Sequence, residues 1–492
     1  MALPAPSNNA NVAAKPAEAA DLPVEGAIEA VQRKTQTQAS PAGSSTAATP
    51  AAAAAAAAPP APDRIKLLKA ENGQFRFPRG TRLINNISWV VGLLELANAG
   101  DFAANVWNVV PVPVYAIVFM AIGGTVAGVL SVFAFLDSRL SCQNVRFLRL
   151  QRRKQKAERA RRLEHSEAMR DVDVRLAVTF RELGSEVINR WVMDLLMGCG
   201  AVLISVGTFM AIGGANEDVW FASNILSGYL GNTPIALFGL VNCMWAAFIW
   251  TKAQGHVIAT RKALRGSLAA ALVKRRSRNV QAFAITNGTA TILGGVGSLL
   301  TATRWWAYVI LIPVIISSIF CNLWWRRRVG YTRAPLRDGV FPPIVPSELV
   351  ADLEFAAHAE IAIREQQTAP INQFVADPTS LPDVLGFLEQ HAMLDIFCLK
   401  VVSVPELCDA LNGKDSTELD IGVDNLLAVP EPLHPRLLEL AQECVRDMGP
   451  EHFRNRERYM AEMLGTYYNI AGNVDFDGNE EMPETKSTDS GI

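Results

Sequence analysis

Ionisable side chains inside apolar stretches are the residues of this sequence that could do chemistry. Glu95 is the one acidic residue within a stretch that could cross a membrane, while Asp194 and Arg304 stand at the ends of two others. A carboxylate buried at membrane depth is typical of a proton or ion pathway. We expect Asp194 and Arg304 to reach water, so the sequence argues against a strongly proton-coupled transporter.

Residues that could hold a metal or act as a nucleophile lack the necessary spacing. None of the seven cysteines forms a CxxC pair, and the six histidines are scattered, mostly beside charged residues. The sequence contains no phosphate-binding loop, dinucleotide fingerprint, HExxH, GxSxG or kinase motif set. Residues 475–479 resemble the start of an EF-hand loop, but Glu480 and Lys486 stand where that loop needs glycine and glutamate. We therefore predict no enzymatic activity, no bound metal and no cofactor.

Long uncharged runs are the elements that would position any such residue. Five runs lack Asp, Glu, Lys and Arg, at 102–136, 195–216, 219–251, 279–303 and 305–325. In the last run, Trp306 and Trp325 are 19 positions apart, or about 28 Å along a helix, which is close to the thickness of a bilayer core. The arginines that follow this run mark its end as cytoplasmic.

The segment 84–100 leaves the number of spans open. It contains Glu95 and has about 17 residues, so it could cross weakly or lie in the interface as an amphipathic helix. If it crosses, every strongly basic connection falls on the cytoplasmic side. We favour six spans at about 84–103, 109–136, 191–214, 233–251, 280–302 and 305–325, with both termini cytoplasmic. The alternative is five spans with the N-terminus outside, which would also expose the glycosylation sequon at Asn86.

Charge is sharply segregated behind the net charge of −2. Residues 139–164 carry ten Lys and Arg against two Asp and Glu, and residues 252–278 carry eight against none. Basic loops beside spans can contact anionic headgroups, or they can simply enforce topology. The candidate headgroup contacts are Arg152, Arg153, Lys154, Lys274, Arg275, Arg276, Arg326, Arg327 and Arg328.

The chain after the last span is acidic, with ten Lys and Arg against 29 Asp and Glu over residues 334–492. Leu437, Leu440, Cys444 and Met448 lie on one face of a predicted helix. We predict an acidic helical cytosolic region over 331–470, a basic helical loop over 139–190, and disordered tails over 1–62 and 471–492. The opposite charges of the acidic region and the basic loops raise the hypothesis that the two dock together.

Small residues inside the predicted spans indicate close helix packing. The candidate packing residues are the pairs Gly124 with Gly128 and Gly294 with Ser298, each spaced four apart. The run 219–251 is too long for one untilted span, and glycines near 228–231 divide it. Its first part could be a re-entrant segment that lines a pore or a helix lying in the interface.

These patterns predict an all-α integral membrane protein with a six-helix transmembrane bundle, or five helices if 84–100 is interfacial. The expected role is non-catalytic organisation at the cytosolic membrane surface, through the lipid bilayer, anionic lipids and protein contacts. The C-terminal helices could bind a cytosolic protein or a second copy, and no nucleic-acid partner is expected. The alternative function is a transporter or channel with a pore-lining segment near 219–234.

Overall fold

The computed structural model describes residues 64–107, 109, 111–335, 341–412 and 416–477, without the side chains of 473–477. The predicted N-terminal tail 1–62 lies outside this range, as does most of the EF-hand-like stretch. Residues 471–477 of the predicted C-terminal tail continue a helix.

The described chain is mostly helical. Its α-helices are α1 (Phe102–Val106), α2 (Val114–Glu164), α3 (Arg170–Glu186), α4 (Met193–Ala211), α5 (Glu217–Asn224), α6 (Thr233–Ala263), α7 (Leu268–Thr301), α8 (Ala307–Trp324), α9 (Pro346–Glu365), α10 (Leu381–Gln390), α11 (Leu394–Val401), α12 (Pro405–Ala410), α13 (Val423–Leu427) and α14 (His434–Asp477). Three π-helical turns, Val187–Val192, Ile225–Leu230 and Trp325–Val329, join or extend them. The 3₁₀ helices are Trp89–Ala99, Pro370–Gln373 and Glu431–Leu433, and the strands are β1 (Ile65–Lys69), β2 (Phe75–Arg76) and β3 (Glu418–Ile421).

Five helical runs have the length and composition to cross a membrane, which is the pattern of a multi-pass membrane protein. They are Val114–Glu164, Arg170–Ala211, Glu217–Ala263, Leu268–Thr301 and Ala307–Val329. Consecutive runs pack as antiparallel neighbours, with α6 against α7 and α2 against α4. We call the end of the bundle where Arg326, Arg327 and Arg328 close α8 the basic end, and the opposite end the far end.

The segment 84–100, for which the sequence left a span and an interfacial helix open, forms an 11-residue 3₁₀ helix, Trp89–Ala99, inside the bundle. It packs against α2, α4 and α8. The amide of Asn322 near the basic end of α8 donates to the carbonyl of Ser88 at 3.0 Å, and Tyr308 at its far end donates to Asp101 at 2.8 Å. The 3₁₀ helix therefore runs beside α8 from one end to the other.

The run that begins at Glu217 is continuous in direction, although a π turn interrupts it. Ser223 donates to the carbonyl of Gly207 at 2.8 Å, and a side chain at Gly231 would meet Ile204 on the same helix, α4. The run therefore already packs along α4 at Ser223, ten residues before the predicted span start at 233. Trp220 is exposed on its outer surface.

A three-stranded antiparallel sheet departs from the all-α prediction. β1 pairs with β2 on one side and with β3 on the other, so the chain just before the bundle is joined to the C-terminal region. Leu67 of β1 and Ile421 of β3 are buried in the core of that region. β1 has five residues, and its central leucine alone is fully buried. This pattern is too short to predict the strand from the sequence.

Candidate functional site

The basic end of the bundle meets the C-terminal region along the last half of α14. This helix contacts α3, α6 and α7, and it also packs along α9. We call this contact between α14 and the three bundle helices the junction. It places acidic residues of the tail against basic residues of the loops, as the docking hypothesis expected.

Glu462 is the central carboxylate of the junction. Its Oε1 lies 2.7 Å from Nε of Arg181 on α3, and its Oε2 lies 4.0 Å from Nε of Arg276 on α7. All three side chains are buried. Burial alone would raise the pKa of Glu462, but Arg181, His256 and Arg276 together lower it below its usual value. Glu462 thus stays ionised between two bundle helices.

A second buried carboxylate, Glu182, extends this network. Nε and Nη2 of Arg333 donate to its two oxygens at 2.8 and 2.5 Å, which is the bidentate geometry of strong ion pairs. Tyr331 donates to Glu182 at 2.6 Å and accepts from Arg181 at 3.1 Å. The segment after the last span is therefore fixed to α3 by Glu182, and its Tyr331 also contacts Arg181, which holds α14.

Glycines bring α6 and α14 into close contact. A methyl group on Gly465 would lie 2.8 Å from the Cβ of His256, and one on Gly255 would lie 2.8 Å from Oδ1 of Asn469. Thr466 and Nε2 of His256 are 3.3 Å apart. Backbone approach of this kind leaves no space for other side chains, so the junction is a packed interface.

A further buried cluster lies at the basic end, one layer deeper in the bundle. Arg190 donates to Asp137 at 3.0 Å, to Glu186 at 3.1 Å and to Asn86 at 3.1 Å. The amide of Asn144 also donates to Glu186 at 3.1 Å. We call Asp137, Glu186, Arg190 and Asp194 the acidic cluster, because all four are buried together.

Asp194 differs from the sequence expectation. It was expected to reach water at the end of its span, but it is fully buried, with the other members of the acidic cluster around it. Neither of its carboxylate oxygens receives a hydrogen bond from a donor in the described part of the chain.

Two small cavities border these clusters. One of about 30 Å³ is lined by residues that include Glu182, Glu186, Asn85 and Tyr331. The other, of about 10 Å³, is lined by Arg181, Ser185, Asn189 and Asn287 among others. A cavity of 10 to 15 Å³ holds about one water molecule, so the larger one has room for about two.

Polar side chains also follow the 3₁₀ helix into the bundle. Glu95, Asn98 and Asp101 are three residues apart, and a 3₁₀ helix places such residues in one row. Asn98 donates to Glu95 at 2.6 Å, and Asp101 accepts from Tyr308 and from Asn105. Glu95 is therefore buried, which the sequence had left open together with the placement of its segment.

Some of the predicted headgroup contacts are exposed to solvent, and others contact the protein itself. The exposed ones without a described ion pair are Arg153, Lys274, Arg326, Arg327 and Arg328. Arg275 is exposed and lies 2.8 Å from Glu457 of α14.

The remaining predicted headgroup contacts face other parts of the protein. Arg276 is buried and donates to the carbonyl of Arg328 at 3.0 Å, so a headgroup cannot reach it. Arg152 lies over the ring of Phe180 at 4.9 Å. Lys154 is half-buried.

The predicted packing residues lie between helices of the same chain. Gly124 faces the ring of Phe209 on α4, and Gly128 faces Ser205, whose hydroxyl donates to the carbonyl of Gly124 at 2.6 Å. Gly294 faces Val314 on α8 and the carboxylate of Glu95. Ser298 is fully buried.

Within the described ranges, no group of three or more His, Cys, Asp or Glu side chains has the arrangement of a metal site. The chain matches no known protein family, no curated protein and no solved structure. Its function must therefore be argued from the junction, the clusters and the exposed basic residues.

Sequence reasoning did not find Glu462, Glu182 or Asp137 as members of a site. Acidic residues are frequent in the tail, and nothing in the sequence distinguishes Glu462 from its neighbours. Asp137 ends one predicted span and Asp194 begins the next, so both lie at the same end of the bundle, and their proximity could have been inferred from the antiparallel packing of α2 and α4.

Proposed function

We propose that this chain is a non-catalytic membrane protein that holds a helical platform at the cytosolic surface and organises lipids and proteins there. The platform is the region from α9 to α14. The observation that carries the proposal is the junction, in which buried Arg181 and Arg276 hold Glu462. A C-terminal region attached only through the last span would make no buried ion pairs with two earlier helices of the bundle.

We also infer six crossings, with the 3₁₀ helix as the first. Eleven residues at about 2.0 Å each cover about 22 Å. Tyr308 and Asn322 of α8 are 14 positions apart, which is about 21 Å at about 1.5 Å each. The segment contacts Asn322 at Ser88 and Tyr308 at Asp101, so it covers the same depth as α8 between those two residues. The longer rise of a 3₁₀ helix thus lets a short segment cross. Residue 64 and the platform then lie on one side, which the basic residues mark as cytosolic.

The lipid part of the proposal rests on Arg326, Arg327 and Arg328. They follow the last span directly and are exposed, so they lie at headgroup depth. Arg153 is 16 residues past Asp137 on the continuous helix α2, or about 24 Å further along it. We therefore restrict the headgroup contacts to the three arginines that end α8 and to Lys274.

Glu95 favours the transporter as the second candidate function, because buried carboxylates in spans often serve ion pathways. The predicted pore-lining segment near 219–234 gives this candidate less support. Its large side chains Trp220, Phe221 and Tyr229 are exposed on the outside of the bundle, where lipid would lie. The glycines of the bundle contact neighbouring helices.

Lipid retention and solute flux together test the proposal. The full chain, purified from membranes into detergent, should retain anionic lipid, and Arg326→Gln, Arg327→Gln and Arg328→Gln combined should reduce that lipid by more than half. The matched control replaces Arg149, Arg153 and Lys156 of α2 with Gln, an equal change of charge on exposed residues farther from the bilayer. Equal retention in the two triple variants would contradict the lipid role. Ion flux into vesicles that disappears in Glu95→Gln would favour the transporter.

A further inference from the structure

The acidic cluster contains more negative charge than its partners neutralise. Asp137, Glu186 and Asp194 are three carboxylates around one guanidinium, that of Arg190. They come from α2, from the end of α3 and from α4, and each is at most 6% exposed. Two uncompensated negative charges away from water would be strongly unfavourable. One carboxylate must therefore be neutralised in another way.

The hydrogen bonds identify which carboxylate lacks compensation. Asp137 accepts from the amide nitrogen of Ser88 at 3.0 Å and from Arg190 at 3.0 Å. Glu186 accepts from Arg190 and from Asn144, both at 3.1 Å. Asp194 accepts from no donor among the described residues, and the carboxylate of Asp137 lies beside it.

Two carboxylates can meet in this way when a proton lies between them. An Asp194 O–H can donate to Asp137, and the cluster then holds two negative charges against one guanidinium. This is the arrangement in which two neighbouring acids share one proton. The shared proton gives Asp194 a hydrogen-bond partner, which it otherwise lacks among the described residues.

A small cavity borders the acidic cluster on the side of the junction. Glu186 and Glu182 both line the 30 Å³ cavity, so two waters there would connect the acidic cluster to the network around Arg181 and Tyr331. Glu186 is the member that borders the cavity. Proton exchange with solvent can therefore occur on the side of the junction.

We propose that Asp194 is a buried proton-binding site, in which one proton bridges Asp194 and Asp137 and exchanges with solvent through the cavity beside Glu186. On release, the Asp194 O–H bond breaks, its electron pair stays on the carboxylate, and the proton passes to water as hydronium. The groups that set its affinity are Asp137, Glu186 and Arg190. The site is independent of the platform's role in organising lipids.

Infrared spectroscopy of the full chain in lipid vesicles tests this site. With aspartate labelled by ¹³C at its carboxyl carbon, a protonated Asp194 gives an isotope-shifted acid C=O band at neutral pH. We expect Asp194→Asn to remove this band, because asparagine keeps the shape and donates its own N–H to Asp137. Asp218→Asn, on the exposed first turn of α5, should leave the band unchanged. Glu95→Gln should also leave it, because the label is on aspartate alone.

Three results would overturn the proposal. A wild-type protein without an isotope-shifted acid band at neutral pH would show that Asp194 is ionised, whatever the variants do. A band that persists unchanged in folded Asp194→Asn would assign the proton to another aspartate. A band that appears only after sodium and potassium are removed would identify an alkali cation as the occupant.

Discussion

Nε of Arg181 lies 2.7 Å from a carboxylate oxygen of Glu462, although 281 residues separate them in the chain. Both side chains are buried, and Arg276 approaches the same carboxylate from another helix. Since α3, α7 and α14 meet at this one group, the C-terminal region and the bundle form a single packed body at the junction.

Glu462→Gln should destabilise the protein strongly, because it leaves Arg181 and Arg276 buried without a countercharge. Removing one partner of a buried ion pair typically costs about 3–5 kcal/mol. Unfolding free energies of the purified full chain in detergent measure the loss. Glu451→Gln changes an exposed residue of the same helix and should have little effect. Equal stability of the two variants would show that the ion pairs do not hold α14.

Gly465→Ala should weaken the contact between α6 and α14. The added methyl group would lie 2.8 Å from Cβ and Cγ of His256, so the helices must separate. Gly472→Ala on the same helix meets nothing within 4 Å. It should leave stability unchanged or raise it by up to about 1 kcal/mol, because alanine favours helix more than glycine. Thermal unfolding distinguishes the two variants. A Gly465→Ala protein as stable as Gly472→Ala would contradict the close contact between α6 and α14.

Stability should fall as pH is lowered from about 6.5 to about 4. Burial, together with Arg456 and His452, lowers the pKa of His391 to about 4. The folded protein keeps this imidazole neutral, stacked on Phe355 at 4.1 Å, while the unfolded chain takes up a proton near pH 6.5. The unfolded state thus binds more protons in this window, so stability rises with pH and is complete above about 6.5.

His391→Phe preserves the stacking and removes the titrating group, so its stability should depend less on pH between 4 and 6.5. His358→Gln is the control, because His358 lies on the exposed side of α9. Melting temperatures measured across this range test the difference. Parallel curves for wild type and His391→Phe would show that His391 titrates alike in both states.

Gly123→Leu should displace the 3₁₀ helix. A side chain at Gly123 would begin 2.0 Å from the carbonyl oxygen of Gly100, so the chain that follows the 3₁₀ helix cannot keep its place. We expect a loss of several kcal/mol, as in severe overpacking. Thr125→Leu, exposed on the same helix, should be tolerated. Unfolding of the two variants in detergent is compared, and a Gly123→Leu variant as stable as Thr125→Leu would contradict the close packing of this segment against α2.

The sequence predicted the apolar helices well, because composition and length decide them. The tryptophans and arginines that bound α8 are an example, since their positions relate directly to bilayer thickness. The sequence could not distinguish a crossing from an interfacial helix at residues 84–100. A 3₁₀ helix has the same apolar composition as an α-helix, and its longer rise becomes visible only against the neighbouring α8.

Residues of the clusters were harder to predict. Asp194 stands at a span end, where most carboxylates reach water, and its burial depends on Asp137 arriving from α2 beside Arg190, which lies one turn before Asp194. The pairing of Arg181 with Glu462 depends on how α14 folds back on the bundle. Local sequence patterns such as helical periodicity do not predict either of these long-range contacts.

A disulfide between α6 and α14 tests the docking of the platform most directly. Gly255→Cys and Asn469→Cys are combined in the full chain in vesicles, with a protease site placed within residues 336–340. After mild oxidation and cleavage, the two fragments should stay joined until a reductant is added, because these positions are in contact. Gly255→Cys with Gly386→Cys carries the same native cysteines and should separate at once. Fragments of the Gly255→Cys and Asn469→Cys chain that separate without reductant would contradict the docking.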